Sequence, residues 1–376
     1  MTTVQSPEID ALRSQLKQLR QHKDGVRQTM APEFYTSQSF HDFERQELFH
    51  KEWICVGNAG EIPEPGDYFT TDIADEPLII ARRKDGTINA LSNVCRHRGN
   101  MVATGKGNRR SFVCGYHAWS YDLDGALKTA PLMSKVKGFD RASCRLHGFR
   151  TEIWSGFIFV NLDGSAAPLG PQLTSLDTIL HNYHNEERNL LFTDETEWAT
   201  NWKNLNENFI EGYHLFATHP KTLEPMTPTQ LCRKVPGQEA WTAYRSYYHP
   251  DFPPRGPFHV DMTEDEQRNS VMGNIFPCFV FGVAANYTLY LCLRPRGPDK
   301  VAIRWGVLGF KTDPADPEVV NYVELCKEFN AEDREKLEVL QQAQKTRYAS
   351  PGFLGPDNLE GTIWDFLQFM ARQLGE

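Results

Sequence analysis

Cys95 and His97 stand in the segment NVCRHRG, and Cys114 and His117 in VCGYHAWSYDLDG, so a Cys-x-His pair is followed by a Cys-x-x-His pair. Two short loops can therefore each offer one thiolate and one imidazole. That mixture suits a [2Fe-2S] cluster in which two cysteines hold one iron and two histidines the other, an arrangement that raises the reduction potential above that of an all-cysteine cluster and makes a one-electron relay. The same four ligand types also make a Cys2His2 zinc site, although a zinc finger pairs like with like and each loop here mixes them. Gly99, Gly115 and Gly125 suit tight ligand loops, and Trp119 is placed either to shield a cluster or to pack in the core. The stretch GKGNRR, Gly105 to Arg110, lacks the last glycine of a dinucleotide fingerprint and falls between the ligand pairs, so it is set aside.

A second constellation lies in EWATNWKNLNENFIEGYHLFATHP. On one helix Glu207, Glu211 and His214 fall at i, i+4 and i+7 and share a face. His219 falls off that face and rejoins His214 only where the helix ends or distorts, for which Pro220 supplies the reason. Two histidines and one carboxylate make the facial triad that suits Fe(II) and leaves positions open for O2. The alternative is a pair of histidines serving as a helix cap or as satisfied core groups.

The elements that must position these groups follow from the rest of the chain. A length of 376 residues favours two cores. With 40% hydrophobic and 24% charged residues and a formal net charge of -9, a nucleic-acid-binding surface is not expected. The N-terminus lacks the order of a signal peptide, and the apolar stretch from Ile275 to Leu293 is interrupted by Pro277, Gly282 and Asn286, so a cytoplasmic protein with no membrane span is expected. The eight cysteines are scattered, and disulfides are not expected in a reducing compartment. Residues 1–45 read as a helical segment and polar linker packing on the catalytic domain, 46–165 as a small all-β domain of short apolar segments between Gly, Pro and Asp turns, and 166–376 as an α+β domain. In the last, a helical block is expected at 198–217, strands around 240–249, 275–283, 287–294 and 301–310, and helices at 317–345 and 359–374.

The segments CRHRG and CGYHAWSYDLDG resemble the Rieske domain of ring-hydroxylating and related oxygenases, and NWKNLNENFIEGYHLFATH resembles the catalytic helix of the same family. The resemblance runs from about residue 40 to the C-terminus. It implies an α+β protein, with a Rieske [2Fe-2S] domain holding its cluster on Cys95, His97, Cys114 and His117, followed by a helix-grip (START-like) catalytic domain with a curved antiparallel sheet. It implies mononuclear Fe(II) bound by His214 and His219. Glu211 occupies the position of the carboxylate that bridges an iron-ligand histidine to the cluster histidine of a neighbouring subunit. Most members acting on aromatic rings carry aspartate there, and the longer glutamate is similar to members that oxidise quaternary ammonium compounds such as carnitine and glycine betaine. For the third ligand, AEDREKLEVLQQAQ offers Asp333 and GPDNLE offers Asp357 and Glu360; Asp333 is preferred, with Glu332, Arg334, Glu335 and Lys336 read as a solvated charge run.

The partners implied are an NAD(P)H-dependent flavin/iron-sulfur reductase, with or without a ferredoxin, together with O2 and a small-molecule substrate. A homotrimer or dimer of trimers is implied, with a small β-subunit left open. The expected activity is hydroxylation, with N-dealkylation in prospect, of a small charged substrate such as a quaternary ammonium compound. The alternatives are hydroxylation or cis-dihydroxylation of an aromatic carboxylate, a Rieske electron carrier without catalysis, and a colourless zinc protein. Trp241, Tyr244, Tyr247, Tyr248, Phe252, Phe279, Phe281, Tyr287 and Tyr290 are the candidate pocket walls or, individually, core residues. Arg245, Arg294 and Arg304 are candidates for a carboxylate clamp or for plain surface positions.

Overall fold

The computed structural model describes residues 6–21 and 25–375; residues 1–5 and 22–24 of the expected N-terminal segment, and residue 376 of the expected catalytic domain, lie outside these. The chain divides into two compact units, Phe49–Ala167 and a second formed by the residues up to Leu48 together with those from Pro168 onward. The expected first and third segments therefore belong to one unit. Among the described residues, no helix is long and apolar enough to cross a membrane.

Phe49–Ala167 is all-β. Strands β1 (Ile54–Asn58), β2 (Asp67–Ile73), β3 (Glu76–Arg82), β4 (Ile88–Ser92), β5 (Lys106–Asn108), β9 (Gly148–Trp154) and β10 (Phe157–Asn161) form an antiparallel sheet in the order β1-β10-β9-β4-β3-β2-β5. A smaller sheet holds β6 (Phe112–Val113), β7 (Ser120–Tyr121) and β8 (Leu127–Thr129). The two Cys/His pairs sit in the loops after β4 and after β6. Their cysteines are buried in a cluster with Phe112, Trp119, Tyr121 and Leu146, so the core of this unit is also the floor of the ligand loops.

In the second unit, β11 (Asn189–Trp198), β12 (Cys232–Gln238), β13 (Trp241–Tyr247), β14 (Asn269–Ile275), β15 (Phe279–Val283), β16 (Tyr287–Gly297) and β17 (Lys300–Gly309) form an antiparallel sheet ordered β11-β17-β16-β15-β14-β13-β12. The expected strand at 275–283 starts later, because Ile275 closes β14 and the chain turns through Phe276–Cys278 before β15. Cross-strand partners pair rings with glycines: Gly273 opposes Phe281 and Gly306 opposes Tyr290. A Cβ at Gly273 would meet the Phe281 ring at 2.5 Å, and one at Gly306 the Tyr290 ring at 2.7 Å.

The helices are α1 (Pro7–Gln21), α2 (Glu33–Thr36), α3 (Gln38–Glu44), α4 (Leu169–Leu180), α5 (Trp202–Phe209), α6 (Leu215–Thr218), α7 (Pro317–Gln344) and α8 (Asp357–Leu374). The segment expected as a linker near residues 32–40 is helical instead, because Ser37 accepts the Phe40 N–H at 3.1 Å and starts α3. Asp316 caps α7 by accepting from the Glu318 N–H, and Pro317 fits its first turn. Helix α8 packs on β12 and β13, and α1 packs on α8.

The N-terminal segment is tied to α5 by an ion pair with no solvent contact. Lys203 Nζ lies 2.7 Å from Glu44 Oε1, both side chains are fully buried, and Trp202 Nε1 donates to Glu44 Oε2 at 3.4 Å. Burial pushes the Glu44 carboxyl up and the Lys203 ammonium down, and each is opposed by the other's charge. Removing one partner leaves an uncompensated buried charge, so Glu44→Ala is expected to destabilise this unit by about 3–5 kcal/mol. The Glu44→Leu/Lys203→Met double variant is expected to recover most of that. Urea denaturation of the three proteins checks this, and a single variant with an unmoved midpoint would show that the pair holds nothing.

Candidate active site

The first donor set is built by two hairpin-like loops. The Gly99 N–H donates to the Cys95 carbonyl at 3.0 Å, and the Ala118 N–H to the Cys114 carbonyl at 3.0 Å. Gly99 and Gly125 take positive φ (75° and 88°), whereas the sharp turn of the second loop falls on Ala118 (φ 57°) and not on Gly115. Cys95 and Cys114 are buried, while His97 is exposed and His117 half-buried, so thiols point inward and imidazoles edge the surface. The rings of His97 and His117 lie 4.6 Å apart, and Trp119 stacks on His97 at 4.9 Å and 12°. Trp119 is thus both buried and a cover for the site.

Tyr121 Oη lies 3.2 Å from Cys95 Sγ and accepts the Arg96 N–H at 3.0 Å. Burial raises the Cys114 thiol, but hydrogen bonds from the backbone N–H groups of Tyr116 and His117 and from neighbouring side chains outweigh it and lower it, which favours the thiolate a metal requires. Each loop contributes one thiol and one imidazole, a mixture that fits a two-iron cluster with two cysteines on one iron and two histidines on the other better than the like-with-like pairs of a zinc finger.

The second donor set converges. One donor atom each of His214, His219 and Asp333 lie within 4.8 Å of one another. Asp333 Oδ1 is 3.0 Å from His219 Nε2 and 3.6 Å from His214 Nε2. His219 Nε2 and Asp333 Oδ1 are buried without a hydrogen-bond partner, which fits atoms that would serve as metal donors. Burial disfavours charge on His214, yet the carboxylates of Glu211, Asp333 and Glu360 outweigh it and raise it to about 9. The surroundings therefore favour a cation, and two imidazoles with one carboxylate are a donor set for Fe(II).

The expected single helix does not exist here. Helix α5 stops at Phe209, and Glu211 accepts the N–H groups of Tyr213 and of His214 (3.2 Å for the latter), replacing helical continuity by a side-chain cap. Gly212 permits the close approach that follows, since a Cβ there would sit 2.4 Å from Cys232 Sγ. Glu207 consequently turns from His214 and accepts from the Tyr35 hydroxyl at 2.8 Å. Glu211 also receives His214 Nδ1, which leaves Nε2 of that ring facing Asp333. His219 ends α6 with φ -116° and ψ 43°, the non-helical backbone required before Pro220.

Asp357 pairs with Arg27 at 2.5 Å and is largely exposed, and Glu360 accepts the Gly355 N–H; neither joins the two histidines. Glu332, read from sequence as part of a solvated run, is a site residue that this reading missed. Its Oε2 receives His219 Nδ1 at 2.7 Å and the Thr222 hydroxyl at 2.6 Å. The signal available was adjacency to Asp333, but the charge-rich neighbours Arg334, Glu335 and Lys336 masked it.

Beside the triad lies a cavity of about 500 Å³ walled by Tyr244, Tyr248, Phe252, Tyr287, Tyr322 and Phe329 among others. Trp241, Tyr247, Phe279, Phe281 and Tyr290 are not among its walls; Phe281 and Tyr290 instead cover the glycines of neighbouring strands. Tyr322 and Phe329 come from α7 at helical spacing before Asp333. Arg294 and Arg304 both pair with Glu195, and Arg245 binds Asn269, so none of the three clamps anything in the cavity. Arg255, not singled out in the sequence, lines it. Tyr287 stacks on Tyr322 at 4.4 Å, and its buried hydroxyl has no partner.

Fold and donor sets together define an iron-sulfur protein with a separate mononuclear metal site. Residues 52–140 match the Rieske [2Fe-2S] domain and residues 182–376 the ring hydroxylating alpha subunit (catalytic domain), and the chain belongs to this Rieske-type alpha-subunit family, whose members carry a [2Fe-2S] cluster and a mononuclear iron. It is 35% identical over 197 residues to the carnitine monooxygenase oxygenase subunit of Escherichia coli K12, covering 51% of this chain and 52% of that one. It is 36% identical over 194 residues to the glycine betaine monooxygenase oxygenase subunit of Chromohalobacter salexigens, covering 51% and 43%. The chain spans about half the length of the curated relatives it matches. Among solved structures, the quaternary ammonium Rieske monooxygenase CntA with L-carnitine superposes with a TM-score of 0.81 at 25% identity, covering 93% of this chain and 96% of that one. Naphthalene 1,2-dioxygenase from Rhodococcus sp. shares the fold, with a TM-score of 0.83 at 21% identity over 98% of each chain.

Two outcomes follow from this geometry. Glu332→Ala removes the acceptor that fixes the His219 ring and is expected to weaken retention of the mononuclear iron about 10–100-fold in a chelator competition, whereas Glu335→Ala leaves it unchanged; equal retention in both would sink the assignment. Tyr121→Phe removes a hydroxyl 3.2 Å from the Cys95 sulfur and is expected to move the potential of a cluster held there negative by voltammetry, an unmoved potential meaning that the hydroxyl makes no bond to a cluster sulfur.

Proposed function

We propose that the chain is the terminal oxygenase of a multicomponent Rieske system and hydroxylates a small zwitterion carrying a quaternary ammonium group at a C–H bond next to nitrogen. The observation that carries this is the cavity, which sets aromatic walls and one arginine beside the triad of His214, His219 and Asp333. When bound, a [2Fe-2S] cluster at Cys95, His97, Cys114 and His117 would supply single electrons, and an iron at the triad would supply O2 activation. The remaining work belongs to the side chains. Tyr248, Tyr322 and Phe329 offer faces to an ammonium group, Arg255 an anchor for a carboxylate, and the unpaired Tyr287 hydroxyl a donor to a substrate oxygen. Glu211 and Glu332 hold the Nδ1 atoms of the two histidines so that both Nε2 atoms face the metal position.

The overall change takes O2, two electrons and two protons, and returns water and a hydroxylated carbon; a hydroxyl beside nitrogen then leads to C–N cleavage with the alkyl group lost as an aldehyde. Electrons come from an NAD(P)H-dependent reductase, and Glu211 connects His214 to a cluster histidine of a neighbouring copy in a homotrimer. Similarity to carnitine and glycine betaine monooxygenase subunits supports the substrate class, and the inter-subunit electron transfer described for a quaternary ammonium Rieske monooxygenase supports the assembly. The competing substrate class is an aromatic carboxylate, favoured by the same rings and by 32% identity over 224 residues to the anthranilate 1,2-dioxygenase large subunit of Acinetobacter baylyi.

The test supplies iron-loaded protein with a surrogate reductase and NADH, and measures O2 uptake and product with L-carnitine, γ-butyrobetaine and glycine betaine against anthranilate and benzoate. Coupled turnover of an ammonium substrate is expected, with KM raised about 10–100-fold in Arg255→Gln. Turnover confined to the aromatic acids would replace the proposal by its competitor.

A further inference from the structure

Away from the cavity's triad, a second set of donors converges among the described residues. One nitrogen each of His184 and His259 and one Glu187 oxygen lie within 4.8 Å of one another. The two imidazoles overlap with centroids 3.7 Å apart and stand between two carboxylates. Glu187 faces His184 Nδ1 at 3.4 Å and His259 Nε2 at 3.9 Å, while Asp261 Oδ2 faces the opposite nitrogens, His184 Nε2 at 2.9 Å and His259 Nδ1 at 3.4 Å. Glu186 adds a third carboxylate, 3.7 Å from His184 Nδ1. The His184 and His259 side chains are mostly enclosed, at 15% and 24% exposure, whereas Glu187 is 55% exposed and free to adjust.

We propose that His184, His259 and Glu187 form a binding site for a divalent cation of the zinc class, with Asp261 orienting both rings from behind. Two imidazoles and carboxylate oxygens are donors that zinc accepts and that calcium and magnesium do not prefer. The two Glu187 oxygens lie 3.4 Å from His184 Nδ1 and 3.9 Å from His259 Nε2, and one donor of each residue lies within 4.8 Å of the others; side-chain movements of the rings and of Glu187 bring them to the ~3.3 Å edge of a tetrahedron with bonds of ~2.0 Å. A carboxylate on the far nitrogen is the usual support of a metal-bound histidine. His184 is already so arranged, its Nε2 bonded to Asp261 and its Nδ1 turned to Glu187 and Glu186. At His259 the Asp261 N–H now approaches Nδ1 at 3.2 Å; ligation through Nε2 places the ring proton on Nδ1, toward the Asp261 carboxylate.

The site joins two stretches distant in sequence. His184 and Glu187 lie in the turns between α4 and β11, and His259 and Asp261 in the loop between β13 and β14. That same loop contributes Phe252, Pro253, Arg255 and Gly256 to the cavity wall. A bound ion therefore clips the wall that carries Arg255 to the body of this unit.

The experiment dialyses iron-loaded protein against micromolar zinc chloride and measures iron and zinc by mass spectrometry. About one further zinc per chain is expected at unchanged iron content, lost in both His259→Gln and the exposed variant Glu187→Gln. Zinc is also expected to slow tryptic cleavage after Arg255 several-fold in the native protein and not in the variants. Zinc taken up only as iron is displaced, or retained in both variants, overturns the site.

Discussion

A buried imidazole can serve a metal through one nitrogen only if something holds the other, and the candidate iron centre depends on that constraint. His214 and His219 each meet a carboxylate at Nδ1, Glu211 and Glu332 respectively, and each turns Nε2 toward Asp333. Without those two acceptors either ring would rotate or exchange tautomer, and the donor set would lose its common focus. The elements around the centre can be read as devices for delivering five side chains from two distant stretches of the chain, 211–219 and 332–333, to one point.

The delivery explains why the backbone departs from what periodicity predicts. A continuous helix through residues 198–217 would have placed Glu207, Glu211 and His214 in a row, with Glu207 competing for the same space. The chain breaks after Phe209, spends Glu211 on the N–H groups that the break exposes, and uses Gly212 to press the turn against Cys232. The same carboxylate thus closes the helix and holds the histidine. Glu207 is released to the N-terminal segment through Tyr35, next to the buried Glu44–Lys203 pair. Backbone irregularity beside the site is the consequence of fitting a local cap and a metal geometry into one short stretch.

What was legible in the sequence was whatever depends on residue type at fixed spacing. The Cys/His pairs, the two histidines before Pro220 and Asp333 were readable because metal chemistry restricts ligand identity, and the α+β character because long apolar strands and two terminal amphipathic helices carry strong periods. What depends on tertiary direction was not. Glu332 and Glu335 are the same residue in the same charged run, and only the position of His219 distinguishes them. Phe281 and Tyr290 sit on strands beside the cavity, but each ring is engaged by a glycine on the neighbouring strand, a pairing that depends on strand register. The break after Phe209 escaped because Asn and Glu in its neighbourhood are compatible with helix, and the cap that ends it comes from a side chain whose orientation no local pattern fixes.

Helix α7 shows how metal position and substrate choice are coupled. It supplies Asp333 and Glu332 to the centre and, about one to four turns earlier, Phe329, Leu325, Tyr322 and Glu318 to the cavity wall. These positions share a face of one rigid element, so a change of bulk at Tyr322 or Phe329 that tilts the helix also displaces Asp333. The opposite wall is different in kind: Phe252, Pro253, Arg255 and Gly256 belong to a loop that can change length and sequence without moving the triad. For the proposed zwitterionic substrate, selectivity for its polar end would belong on the loop, through Arg255, while the part nearest the metal position would be shaped by a helix that tolerates little change. A relative that keeps the centre but alters its substrate is accordingly expected to differ first between β13 and β14, and last along α7.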